Sequence, residues 1–142
     1  MIYLDTSLLV KLYVPEPGSQ EVASAVRADR QIVVSDLTRL EFTSAVARLV
    51  REEALSSSRG RNLLARLEGE WEGYVRVRAS DDVLTEGTTL LGRHPLRTLD
   101  AVQLASALLV DRSGPTRVRF GTADRRLEEA ASAEGLPPLL PD

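Results

Sequence analysis

Four carboxylates stand out in a chain that is poor in other reactive side chains: Asp5, Glu41, Asp100 and Asp124. Asp5 closes the apolar run Ile2-Tyr3-Leu4 and precedes Thr6-Ser7, while Glu41 sits between Leu40 and Phe42. Asp100 falls in the expected first turn of the most hydrophobic helix, and Asp124 ends the segment Phe120-Gly121-Thr122-Ala123. Each has an ordinary structural explanation. Asp5 and Asp124 can cap helices, Asp100 is favoured near a helix N-terminus by the dipole, and Glu41 can be a solvated residue on a helix edge. Joint placement says more. All four are expected at strand C-termini or in the opening turns of the following helices, which a parallel sheet gathers along one edge. Gathered carboxylates repel one another, and a hard divalent cation bound through oxygen relieves the repulsion. Mg2+ or Mn2+ is therefore the expected cofactor, able to acidify a water and to neutralise charge on a phosphate during in-line displacement. A structural or regulatory acidic pocket is the competing reading of the same four residues.

Composition narrows the chemistry. The chain has no cysteine, which excludes thiolate nucleophiles, Cys-based zinc sites and redox switching and suits a reducing cytoplasm. The single histidine, His94, cannot build a multi-histidine metal site, so hydrolytic chemistry must lean on carboxylates. A phosphatase of the haloacid dehalogenase type would want a second aspartate two residues after the first, where this chain carries Ser7. A net charge of −3 argues against coating nucleic acid by bulk positive charge but allows a local basic rim. Only Lys11 among the 18 basic residues is lysine, and arginine offers phosphate a planar pair of donors. No stretch approaches the roughly 20 apolar residues that a membrane span requires. A soluble, unprocessed, cytoplasmic protein is expected.

The elements that must position these acids can be traced in order. At 142 residues and 43% hydrophobic content, one domain over residues 1–142 is expected, burying roughly two thirds of its unfolded surface without disulfide or structural metal. Ile2-Tyr3-Leu4 reads as a strand, Asp5-Thr6-Ser7 as a helix start, and Val14-Pro15-Glu16-Pro17-Gly18-Ser19 as a loop opening a second helix. Further strands are expected at 31–34, 74–77 and 118–120, with Pro138-Leu139-Leu140 as a short last one. Leu37, Leu40, Ala45, Leu49 and Val50 recur near the helical period, as do Leu63, Leu64, Leu67 and Trp71, which predicts two helices joined at Ser56-Ser57-Ser58. A helix is expected over 81–92. Leu99, Val102, Ala105, Leu108 and Leu109 mark a strongly apolar helix with Thr98 as its N-cap, and residues 124–133 a polar one. Strands alternating with helices predict an α/β fold: a short, mainly parallel sheet of four to five strands with helices on both faces.

Four segments, taken in order, resemble the PIN-domain ribonucleases, in particular the VapC toxins of bacterial and archaeal toxin–antitoxin pairs. They are Ile2-Tyr3-Leu4-Asp5-Thr6-Ser7, Ser35-Asp36-Leu37-Thr38-Arg39-Leu40-Glu41, the run from Leu96 to Ala105, and the run from Phe120 to Leu127. The resemblance spans essentially the whole chain. It implies a toxic endoribonuclease with Asp5, Glu41, Asp100 and Asp124 as its acidic site. Asp5, Asp100 and Asp124 would be the nearest metal ligands, with Glu41 acting through water. Ser7 and Thr122 would support the site, and Arg39, Arg97 and Arg125 are candidates for RNA phosphate contacts. Gln103 stands where relatives often carry a different polar or aromatic residue, which bears on substrate choice. The resemblance further implies a homodimer silenced by a cognate VapB-like antitoxin, with the helices from Leu37 to Trp71 as the clamp for that partner. A non-catalytic acidic-pocket binding module is the alternative, against which the four intact carboxylates argue.

Overall fold

The computed structural model describes residues 1–29 and 31–140. Four short strands, β1 (Ile2–Leu4), β2 (Ile32–Ser35), β3 (Val75–Val77) and β4 (Arg119–Gly121), form one sheet in the order β3-β2-β1-β4. Every neighbouring pair is parallel, with Tyr3 opposite Val33 on one side and Phe120 on the other. Seven helices surround it among the described residues: α1 (Thr6–Tyr13), α2 (Ser19–Arg27), α3 (Thr38–Arg51), α4 (Ser57–Glu70), α5 (Asp81–Arg93), α6 (Thr98–Ser113) and α7 (Arg125–Ala133). A 3₁₀ turn, Trp71–Gly73, leads from α4 into β3. None of these helices is long and apolar enough to cross a membrane.

The alternation of side chains along a strand divides the core in two. Tyr3, Val33 and Phe120 face α5, α6 and α7, where Val83, Leu90, Leu104, Ala105 and Leu127 are buried. Ile2, Leu4 and Val34 face the other way, against Leu8, Leu9, Phe42, Val46, Leu63 and Leu67 of α1, α3 and α4. Tyr3 and Phe120 stack at 5.5 Å between ring centroids, so β1 and β4 are joined by rings as well as by their ladder. Many helix starts follow local rules. Ser56 and Ser80 accept from the N–H of Arg59 and Val83 to cap α4 and α5, and Gly18 opens α2 with a φ of 89° that favours glycine.

Five expectations need correction. The buried side of α3 is Thr38, Phe42 and Val46, with Leu49 and Val50 partly covered; Leu40 is 70% exposed, because it lies two residues, about 200° of helix, from Thr38. Leu99 is likewise exposed. Thr98 is the first residue of α6 rather than its N-cap; that place is taken by Arg97, in extended conformation and without a side-chain cap bond. The last segment makes a single bridge from Pro138 to Phe120 and no strand, since Pro137 and Pro138 have no N–H to extend a ladder. Gly121, expected to let the backbone turn tightly and approach a ligand, has no left-handed backbone; a Cβ there would fall 2.8 to 2.9 Å from leucine Cδ atoms of Leu8, Leu139 and Leu4, so its smallness serves the core.

Candidate active site

Asp5 follows β1 directly, bonding its N–H to the Gly121 carbonyl of β4 and capping α1 through Oδ1 on the Leu8 N–H at 3.1 Å. Its carboxylate is 5% exposed and held on three sides. The Ser7 hydroxyl donates to Oδ1 at 2.6 Å and the Thr122 hydroxyl to Oδ2 at 2.9 Å. Both hydroxyls in turn accept from backbone N–H groups of the β4–α7 loop, Ser7 from Ala123 and Thr122 from Asp124. The loop that carries Asp124 is thereby stitched to the side chain of Asp5. Asp124 itself caps α7, Oδ1 accepting from Arg126 N–H at 2.8 Å and Leu127 N–H at 3.2 Å.

Glu41 lies in the first turn of α3, half-buried. Its Oε1 receives the Thr6 hydroxyl at 3.1 Å and the Gln103 amide at 2.6 Å. Asp100 lies in the first turn of α6 and accepts from the Arg97 backbone N–H, reaching back as the third residue of a capping box does. Asp100 departs from the expected pattern in one respect. Its helix follows another helix, α5, and not a strand, so it reaches the sheet edge through the packing of α6 on β1 and β2.

Charge links the four acids in series. Burial pushes the Asp5 carboxyl up to about 6, beyond what the bonds from Ser7, Leu8 and Thr122 recover, and the charge of Glu41 adds to the rise. Burial also raises Glu41, opposed by the Gln103 and Thr6 bonds and reinforced by the charge of Asp100. Asp100 is raised by burial and by Asp124, with the Arg97 backbone and the charges of Arg97 and Arg126 opposing. None of the four lies within ion-pair distance of a basic side chain among the described residues. Nor, among those residues, are three or more His, Cys, Asp or Glu side chains gathered tightly enough to hold a metal ion. This oxygen-only, mutually repelling donor set fits a hard cation that keeps water and phosphate ligands and takes one or two carboxylates, the habit of Mg2+. It does not fit an ion caged by protein ligands.

The arginines divide differently. Arg39 is paired with Glu68 across α3 and α4, and Arg125 with Glu129 one turn along α7. Arg97 is exposed beside Asp100, as is Arg126, a residue missed in the sequence although it lies two residues after Asp124. Also missed were Thr6 and Thr38, which join Gln103 and Glu41 in one network. Gln103 itself is only 2% exposed, and its amide bonds to the acid Glu41. Its isolation in an eight-residue buried run, Ala101–Leu108, shared only with Ser106 as a polar residue, was the available signal. His94 bonds to Glu134 at 2.6 Å and takes no part in the acidic site.

A four-stranded parallel sheet flanked by helices makes this an α/β domain, and the match of the PIN domain family model to residues 2–133 names the class. The chain belongs to the PIN-domain family, and within it to the VapC ribonucleases. Ribonuclease VapC46 of Mycobacterium tuberculosis is 36% identical over 140 residues, covering 99% of this chain and 97% of the relative. Ribonuclease VapC3 of Pyrobaculum aerophilum is 27% identical over 130 residues, covering 90% and 92%. Among solved structures, FitAcB from Neisseria gonorrhoeae superposes with a TM-score of 0.75 at 18% identity, over 97% of this chain and 96% of that one. VapC20 of Mycobacterium tuberculosis, described as a sarcin-ricin loop cleaving toxin, gives 0.68 at 15% identity over 99% and 100%. At such identities the structures speak for the fold.

Proposed function

We propose that this protein is a toxic endoribonuclease of a toxin–antitoxin pair, hydrolysing RNA phosphodiester bonds with water at an acidic site that depends on Mg2+ or Mn2+. The observation that carries the proposal is the series in which Asp124 raises Asp100, Asp100 raises Glu41 and Glu41 raises Asp5, with none neutralised by an ion pair among the described residues. Charges so placed are costly in an empty pocket, and they suit a task that brings positive charge with it. A divalent cation would supply electrostatic stabilisation to the scissile phosphate and acidify the attacking water. Asp5, Asp100 and Asp124 are the candidate ligands, one or two of them binding the ion directly and the rest through its water. Ser7 and Thr122 hold Asp5 in a fixed rotamer, and Thr6 and Gln103 do the same for Glu41.

The RNA would be single-stranded or looped, so that its backbone can bend to a recessed edge. Arg97 and Arg126 offer positive charge beside Asp100 and form no ion pair among the described residues, whereas Arg39 and Arg125 must first leave Glu68 and Glu129. A cytoplasmic location, a homodimer and a cognate antitoxin belong to the same proposal. The paired helices α3 and α4, where Gly60 brings the backbone of α4 close to Val50, are the surface assigned to the antitoxin. The test is cleavage of a mixed cellular RNA pool by purified protein with Mg2+ or Mn2+, against EDTA and against Asp100→Asn. Cuts that need metal and vanish in the variant are expected; an intact RNA pool under every metal would replace the nuclease by a partner-binding module.

A further inference from the structure

We propose that Gln103 is the positioning residue for Glu41, and that the Tyr3 hydroxyl locks the Gln103 amide in the one orientation that serves it. The inference rests on the reading of Glu41 as part of a hydrolytic site. Gln103 lies between the sheet and α6, almost wholly buried, with both ends of its amide in use. The nitrogen faces only oxygens: Glu41 Oε1 at 2.6 Å, Thr38 Oγ1 at 3.2 Å and Thr6 Oγ1 at 3.4 Å. Glu41 Oε1 accepts here, as it does from the Thr6 hydroxyl, so the NH₂ end is the one that meets it. The amide oxygen is then left pointing at Tyr3, whose hydroxyl donates to it at 2.6 Å.

Tyr3 is well chosen for the lock. Its ring is fully buried and stacked on Phe120 of β4, which fixes its hydroxyl opposite the Gln103 amide oxygen. The chain Tyr3, Gln103, Glu41 thus runs from the central strand to the site through two short bonds of fixed polarity. Gln103 also lies three residues after Asp100, and residues so spaced share a helix face. One stretch of α6 therefore carries Asp100 and the group that holds Glu41, and it sets the spacing between two acids that lie on different elements. A leucine or methionine would fill the same space in the core without either bond.

The experiment compares wild type with Tyr3→Phe, Gln103→Met and the double variant on one RNA oligonucleotide with Mg2+, alongside the 15N–1H signals of the Gln103 side-chain amide. Gln103→Met is expected to lower kcat tenfold or more with KM within twofold. Tyr3→Phe, which removes a single oxygen and keeps the stacked ring, should lower kcat several-fold and speed hydrogen exchange at the Gln103 amide. The double variant should match Gln103→Met alone, because the hydrogen-bonded route from Tyr3 to Glu41 runs through the Gln103 amide. An unchanged amide signal in Tyr3→Phe would overturn the lock, as would kcat losses that multiply. Unchanged kcat in folded Gln103→Met would overturn the positioning role. Should no variant or wild type cut RNA, the nuclease reading fails by itself, and amide exchange still decides the lock.

Discussion

Asp5 carries opposite consequences for stability and for chemistry. Its carboxyl rises from 3.8 to about 6 on folding, with burial as the largest cause. The folded protein therefore holds that proton to a higher pH than the unfolded chain. The cost of ionising Asp5 is absent below about 3.8, grows through the window and is present in full above about 6. A rise of that size corresponds to about 3 kcal/mol. Asp5→Asn removes that cost but gives Thr122 no second acceptor, which takes back about 1 to 2 kcal/mol. The expected result at pH 7.5 in EDTA is a Tm a few degrees above wild type, read by thermal unfolding, together with loss of RNA cleavage. A destabilised Asp5→Asn protein would show that the bonds from Ser7, Leu8 and Thr122 outweigh the burial cost of the carboxylate.

At the scale of elements, a cap and an active-site acid can be the same residue, and Asp124 allows the two to be separated. Asparagine caps a helix about as well as aspartate does. Asp124→Asn should therefore keep α7 at near wild-type stability, whereas Asp124→Ala should cost about 1 kcal/mol by leaving Arg126 and Leu127 N–H groups without their acceptor. Both are expected to lose at least tenfold in cleavage rate. Denaturant titration beside a cleavage assay checks this, and full activity in Asp124→Asn would leave Asp124 a structural cap only. The loop preceding α7 is held by the Ser7 and Thr122 hydroxyls, so Ser7→Ala should weaken cleavage by a smaller factor than loss of any of the four acids, at little cost in stability.

Across the whole molecule, the acids and the ion pairs respond to solution conditions in different ways. Repulsion among acids from α1, α3, α6 and α7 predicts that Mg2+ stabilises the fold, by about 1.4 kcal/mol at tenfold its Kd. That gain should be seen as a rise in Tm of wild type and should shrink in Asp5→Asn and Asp100→Asn; equal rises in all three would place the ion elsewhere. Glu134 behaves in the ordinary sense for a paired acid. Its burial would raise it, yet the His94 bond and the Arg93 charge together hold it below its usual value. It ties the end of α5 to the end of α7. Stability from this staple is present above the unfolded carboxyl range and is lost as pH falls through the folded one. Glu134→Gln should therefore be less stable than wild type at pH 7, with the gap closing towards pH 3 in a series of urea titrations.

Much of the layout is legible in the chain because it rests on contacts between near neighbours. Ser56, Ser80, Asp5 and Asp124 cap helices within three residues of themselves, and the apolar periods of 63–67 and 101–108 announce buried helix faces. The four acids were legible as candidates for the same reason, since each stands at a visible boundary or breaks an apolar run. What depends on distant packing was not legible. The phase of α3, which leaves Leu40 in solvent and buries Thr38, is set by which side meets β2 and α1. The demand for Gly121 comes from three leucines of other segments. The arrival of Asp100 at the sheet edge, by way of a helix that follows a helix, depends on α6 docking across β1 and β2. The bond from Gln103 to Glu41 joins residues 62 positions apart. Residue types and local order are written in the chain itself, whereas which carboxylate faces which is decided only when the two cores close on the sheet and remove the alternatives.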